Sequence, residues 1–197
     1  MQIVGADADA VERRLRGGRL VCGCGGTLGP WGSARRRVVR GLGALRPHRS
    51  RCRGCGRTHV LLPATALSRR ADAARVIGSA LVARARGAGH RRIADAIGVP
   101  AGTVRGWLRA FGRNAEAVRV VFAALLGQLD PLAGPVQPSH GGVFADALEA
   151  IGRAVSAARR RLGAGVAVSS WALASVLTGG LLLSPAFPGP RPNTSCP

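Results

Sequence analysis

Cys22-Gly-Cys24-Gly-Gly and Cys52-Arg-Gly-Cys55-Gly place four thiols in two clusters, with 27 residues between Cys24 and Cys52. Two cysteine pairs, each followed by glycine and separated by short apolar runs, have the chemistry of a zinc ribbon. In such a module two turns each give two thiolates to a tetrahedral Zn²⁺, and the metal replaces a missing core. Neighbouring arginines favour the thiolate form and offset the charge of a four-thiolate site. The second pair has C-x-x-C spacing, whereas the first is C-x-C, one residue short. A strained loop, His48 or His59 standing in for one thiol, or a metal-free cluster of reduced thiols would each accommodate that. The expected ligands are Cys22, Cys24, Cys52 and Cys55, and the expected cofactor is structural Zn²⁺. Cys196, in the tail, falls outside this set, and Trp31 reads as a small-core residue rather than a base-stacking platform.

A second constellation runs from His90 to Phe111. Counting His90 as the first position of a twenty-residue unit, Ala94 falls at position five, where a crossing helix demands a small side chain. Gly98 falls at position nine, in a turn that calls for positive φ. Ile93, Ile97, Val99, Val104 and Trp107 occupy the apolar positions that knit two helices at a steep angle. The spacing predicts a helix-turn-helix, against a plain helical hairpin. Its second helix, from about Pro100 to Phe111, would turn Val104, Trp107, Leu108 and Phe111 inward. Ala101, Gly102, Thr103, Arg105 and Arg109 would then face outward. Arg105 is the expected base contact, to guanine in a major groove. Thr103 suits a phosphate or a thymine methyl, and Arg109 and Arg113 suit backbone phosphates. Arg91 and Arg92 open the first helix, where cations and main-chain N–H groups clamp a phosphate.

Charge supports a polyanionic partner. Net charge is +20, and between Glu12 and Asp72 there are fifteen arginines and no acid. Residues 1–113 hold 23 Arg against 5 acids, and residues 114–197 hold 6 Arg against 4. The first half therefore faces the polyanion and the second half packs. All 29 basic residues are Arg, as expected of a GC-rich genome, but codon bias does not explain why acids vanish across sixty positions.

These residues need elements to hold them. The expected fold is mostly α with a small N-terminal β module of zinc-ribbon type, a homeodomain-like three-helix core and further C-terminal helices. Residues 1–19 read as a tail or short helix, 20–65 as the cysteine module, and 66–129 as the helix-turn-helix domain. Within the last, Ser68 is expected to cap a helix to about Arg86 and Asn114 to cap another ending at Pro131. Residues 130–142 read as a linker and 143–183 as C-terminal helices, with Phe144, Leu148, Ile151, Val155, Ala158 and Leu162 on one face. Residues 184–197 read as a disordered Pro-rich tail.

Catalysis is not expected. Metal-dependent strand transfer needs three converging carboxylates, and beyond the helix-turn-helix there are only Glu116, Asp130, Asp146 and Glu149. Nor is there a Lys to complete a phosphate-cradling loop.

Val21 to Leu62, with its Cys pairs, "PWGSARRRVVRGLG" and "CRGCGRTHVLLP", precedes "GHRRIADAIGVPAGTVRGWLRAF". Over about residues 20–125 the chain resembles small actinobacterial zinc-ribbon plus helix-turn-helix proteins, themselves similar to the N-terminal DNA-binding part of insertion-sequence transposases. The resemblance implies zinc at Cys22, Cys24, Cys52 and Cys55, and DNA reading by the helix holding Thr103 and Arg105. It implies a transposase-like or regulatory role without the catalytic domain such enzymes carry.

The expected partner is duplex DNA, read by the helix-turn-helix and by the Arg-rich cysteine module, with a homodimer through the C-terminal helices as a further expectation. The N-terminus lacks the pattern of a secretion signal, and the expected location is cytoplasmic, at the nucleoid. Two alternatives belong to other classes. One is a membrane anchor through residues 164–183, where Ser169 or Ser170 as a cap and Gly179-Gly180 as a stop leave about nine helical residues against the roughly twenty needed to span. The other is an RNA-binding module.

Overall fold

The computed structural model describes residues 1–5, 7–137, 141–162 and 169–187. Its elements run β1 (Gln2–Val4), α1 (Ala8–Arg16), β2 (Leu28–Ser33), β3 (Arg37–Val39), β4 (Gly43–Leu45), β5 (His48–Cys52), β6 (Thr58–Pro63), α2 (Ala74–Ala85), α3 (His90–Ile97), α4 (Ala101–Leu129), α5 (Gly142–Leu162) and α6 (Ser170–Leu177). Helices take up about half of the chain, less than expected, and a small sheet stands at the N-terminus.

The sheet has the order β1-β6-β5-β2, with β3 and β4 forming a separate hairpin. β5 pairs antiparallel with both β2 and β6, and β1 lies parallel to β6 with Gln2 opposite Leu61. Residues 1–19 hold the short helix α1 and, before it, an edge strand. A strand of three residues is too short to show alternation in sequence, yet it completes the sheet edge. The helix after it is capped by Asp7, whose carboxylate accepts from the Asp9 and Ala10 N–H groups. Its Val11 and Leu15 join Val4, Leu20, Leu28 and Leu61 in a small core that also takes in Cys22 and Cys52. So few apolar groups make a marginal core for a module of this size.

The larger core lies between the helices. Ile77 and Leu81 of α2, Ile93 of α3, and Val104, Trp107 and Phe111 of α4 are all buried in it. α5 lays Ala147, Ala150, Ile151, Ala154 and Val155 against the same core, and its Phe144 ring meets Phe111 edge-on at 4.7 Å. Much of the 4-3 face of α5 is thus covered within the chain, while Leu162 at its end is exposed.

Two helix boundaries differ from expectation. Ser68 does not cap α2, whose N-cap position is Ala73; its own N–H donates to the Gly180 carbonyl. The chain between Ala66 and Ala73 is held by bridges from Ala66 to Ala73 and from Arg40 to Asp72, with Arg69 at φ 57. α2 starts only after them, behind an extended Ala73. The expected break between Phe111 and Asn114 is also missing, so the presumed reading helix and its successor form one 29-residue helix. Gly112 alone does not stop a helix packed on both sides of it. The Asn114 carboxamide instead donates to the carbonyls of Leu182 (3.2 Å) and Ser184 (2.8 Å), pinning the segment after α6 to the middle of α4.

α6 is an eight-residue helix whose N-cap Ser169 hydroxyl accepts from the Ala172 N–H. Gly179 and Gly180 follow it at positive φ. Among the described residues no helix is long and apolar enough to cross a membrane. Part of the stretch 164–183, and residues 188–197 of the expected Pro-rich tail, Cys196 included, lie outside the described residues, whereas residues 184–187 are described and end on a buried Phe187.

Candidate metal centre and cationic helix face

The four cysteines converge. Their sulfurs lie within 4.8 Å of one another, with Cys22 to Cys55 at 3.8 Å and Cys24 to Cys52 at 3.5 Å. None is in a disulfide. Each pair sits in a turn that its glycines make possible. In the first, the Cys22 N–H donates to Gly26 O and the Gly25 N–H to Cys22 O, with Gly25 at φ +85. In the second, the Cys52 N–H donates to Arg57 O, the Gly56 N–H to Cys52 O and the Cys55 N–H to the Cys52 sulfur at 3.4 Å. The Arg53 N–H reaches across to Thr27 O and ties the two turns together. The short C-x-C pair is accommodated by this tight glycine turn, and both of its sulfurs stay in the cluster.

The sulfurs differ in proton affinity. The Cys24 N–H pulls the Cys22 thiol down, but burial and the neighbouring sulfurs outweigh it and push the thiol up to about 11. Cys24 is exposed and sits below the ordinary thiol range, chiefly because the Gly26 N–H donates to it. His59 replaces no thiol. Its Nε2 lies 3.3 Å from the Cys22 sulfur, beside the cluster. Burial, then the N-terminal ammonium and Arg57, hold its imidazole below the usual histidine range. His48 is turned to a different cavity, with Val11, Leu45 and Leu61.

The residues expected to face a nucleic acid are spread over α3 and α4. α3 ends at Gly98, which takes φ 63 and ψ 39, and Val99 and Pro100 complete the turn into α4. Ile93, Ala94, Val104 and Trp107 are buried, so α3 and α4 face each other through those side chains. On the outside, Arg91, Arg92, Gly102, Arg105, Arg109 and Arg113 are exposed, while Ala101 and Thr103 are half-buried. Arg105 and Arg109 share a shallow cleft of about 330 Å³ with Arg84, His90, Leu108 and Phe144. Arg84 and Phe144 were not expected there. Arg84, in the last turn of α2, lies six residues before His90, whereas Phe144 arrives from α5 and is distant in sequence. Glu12, Asp72, Glu116 and Asp130 are each paired with other arginines, at Arg16, Arg40, Arg119 and Arg160. Asp146 is buried and Glu149 exposed, so that pair does not present to one site.

No protein family, curated protein or solved structure matches this chain.

Trp31 is a surface residue and not the small-core residue its type suggests. It is 50% exposed and belongs to neither core, and the Arg51 guanidinium lies over its ring at 4.9 Å.

Proposed function

We propose that this chain is a DNA-binding protein of regulatory or transposase-like type, reading duplex DNA with α3 and α4 as a helix-turn-helix and stabilised by Zn²⁺ on its four cysteines. One observation carries the reading. The left-handed turn at Gly98 joins two helices that bury Val104 and Trp107, leaving the guanidinium groups of Arg105, Arg109 and Arg113 on the solvent side of α4. Such a helix lies along a major groove with its N-terminal residues against base edges. Arg105 is the base reader, while Arg91, Arg92, Arg109 and Arg113 hold phosphates, with Arg84 added from α2. Ala101 and Gly102 keep the leading turn slim, and Thr103 stands beside it. The length of α4 is compatible with this role, since only its first turns need enter the groove.

Zinc fits the donor set. Tetrahedral Zn²⁺ with sulfur ligands at about 2.3 Å places its sulfurs about 3.8 Å apart, close to the spacings of 3.5 and 3.8 Å. Four thiolates also favour a soft divalent ion over Mg²⁺ or Ca²⁺. When bound, the ion would cross-link the two glycine turns and hold the sheet together.

The test is capture of bound genomic DNA, followed by titration of a recovered site with the wild type and Arg105→Ala. The variant should lose discrimination between that site and scrambled duplex by about 1–3 kcal/mol. Equal weakening on every duplex would make Arg105 a phosphate anchor, and no duplex affinity even in dilute buffer would remove the reading.

A further inference from the structure

Along β5 the side chains alternate. Ser50 and Cys52 point into the module, and Arg49 and Arg51 point out of it. Gly29 is opposite Arg51 on β2, and Val60 and Thr58 are opposite Arg49 and Arg51 on β6. Trp31, two residues after Gly29, stands on this outer face with the Arg51 guanidinium over its ring. Arg51 is fixed from behind, since its Nε donates to Gly56 O at 3.1 Å. Arg53 lies across Gly29, where an added Cβ would come within 3.3 Å of its Nε. Trp31, Arg51, Arg53 and their glycines line a depression of about 460 Å³. No acid occurs between Glu12 and Asp72 to neutralise it.

A half-exposed aromatic ring with a fixed cation over it, among arginines spaced along a strand, suits a ring-bearing polyanion. From this we infer a second nucleic-acid site on the sheet. An unpaired nucleobase stacks on the face of Trp31 that Arg51 leaves open, while Arg49, Arg51 and Arg53 take the flanking phosphates. The ligand is a single-stranded polynucleotide segment, not duplex, because a paired base cannot offer its face to the ring. The site is independent of the helix-turn-helix reading, since it shares no residue with α3 or α4. Gly32 has open space beside it, which leaves room next to the ring for a flat partner.

The zinc-loaded full chain should be titrated with oligo-dT, oligo-U and an abasic strand, each of about 12 nucleotides, and with a duplex of equal length. Trp107 is buried and Trp171 half-buried, so quenching of tryptophan emission by oligo-dT or oligo-U, absent with the abasic strand, reports Trp31. Trp31→Ala should abolish that quenching and weaken single-strand binding about tenfold or more, leaving duplex binding within twofold. Trp31→Phe should restore most of the affinity. A preference between oligo-dT and oligo-U names DNA or RNA as the source of the segment, and either supports the site. Equal loss on single strand and duplex, or wild-type binding without quenching, overturns it. If Trp31→Ala fails to hold zinc, the wild-type quenching, the abasic strand and Trp31→Phe decide alone. Arg105→Ala should give the opposite pattern, with duplex binding impaired and single-strand binding kept. A normal result there combined with the Trp31 pattern would sink only the helix-turn-helix reading.

Discussion

Gly26 stands so close to Cys52 that a Cβ on it would lie 2.7 Å from the Cys52 sulfur and 3.1 Å from the Gly54 nitrogen. Those neighbours are a cluster ligand and a backbone atom, so neither swings aside as a long side chain would. Gly26→Ala should therefore push the two cysteine turns apart. The expected cost is about 1–3 kcal/mol, read as zinc released to a weaker chelator than the wild type requires. Unchanged zinc retention would show that the turns do not need this contact.

Removing the metal should unfold one part of the molecule and spare the other. Of the eight buried residues in the small core, two are Cys22 and Cys52 of the four-cysteine cluster. The helical core shares none of them. Chelation, or Cys52→Ser, should abolish amide-exchange protection in β2, β5 and β6 while amides of α4 and α5 stay protected. Persistent protection of β5 in the stripped protein would argue that the sheet folds on apolar contacts alone.

The features legible in sequence are those fixed by local spacing. The two Cys-Gly turns announce themselves because a ligand turn needs its glycine at a set offset, and Gly98 does so because the turn between α3 and α4 needs positive φ. Ser169 as a cap is equally local. What stayed hidden depends on partners distant in the chain. Ser68 is a good capping residue, but the bridges from Arg40 to Asp72 and from Ala66 to Ala73 hold the chain extended until α2 starts at Ala74, and the Asn114 carboxamide is claimed by the carbonyls of Leu182 and Ser184. β1 is a strand only because β6 offers it an edge, more than fifty residues later. Trp31 looks like core by residue type, and only the register of β2 on β5 turns it outward beside Arg51. His59 reaches Cys22 for the same reason, through pairing of β6 with β5.

Asp72 makes stability depend on pH. It is 5% exposed, and its Oδ1 meets Arg40 Nη1 at 3.2 Å without hydrogen-bond geometry. Burial raises its pKa above the ordinary aspartate value, and the Arg40 charge only partly opposes this. A raised carboxyl pKa means that the folded state binds the proton more tightly than the unfolded chain. Its contribution is therefore fully present below the unfolded value and is lost as pH rises through the folded one. Denaturation curves across mildly acidic pH should show wild-type stability falling with rising pH in that window, and Asp72→Asn should flatten this component. An identical slope in the variant would assign it to another group. Arg40→Ala should steepen it, because the remaining carboxylate would be buried without a cation.

Gly78 and Trp171 test how α6 is held. A Cβ on Gly78 would fall 2.0–2.2 Å from the Trp171 indole ring, so the helix α2 is approached there to backbone distance. Alanine in mid-helix is ordinarily better than glycine by about 1 kcal/mol, yet here Gly78→Ala should destabilise by about 1–3 kcal/mol because the ring must leave its seat. Trp171→Ala vacates that seat at the cost of its own packing. In the Trp171→Ala background, Gly78→Ala should become neutral or stabilising, and the double-mutant cycle should return a coupling well above the few tenths of a kcal/mol typical of distant sites. Urea denaturation of the four proteins gives this directly. Additive effects would mean that α6 is held mainly by Ser175, whose hydroxyl donates to Ala66 O, and by the Asn114 bonds after it.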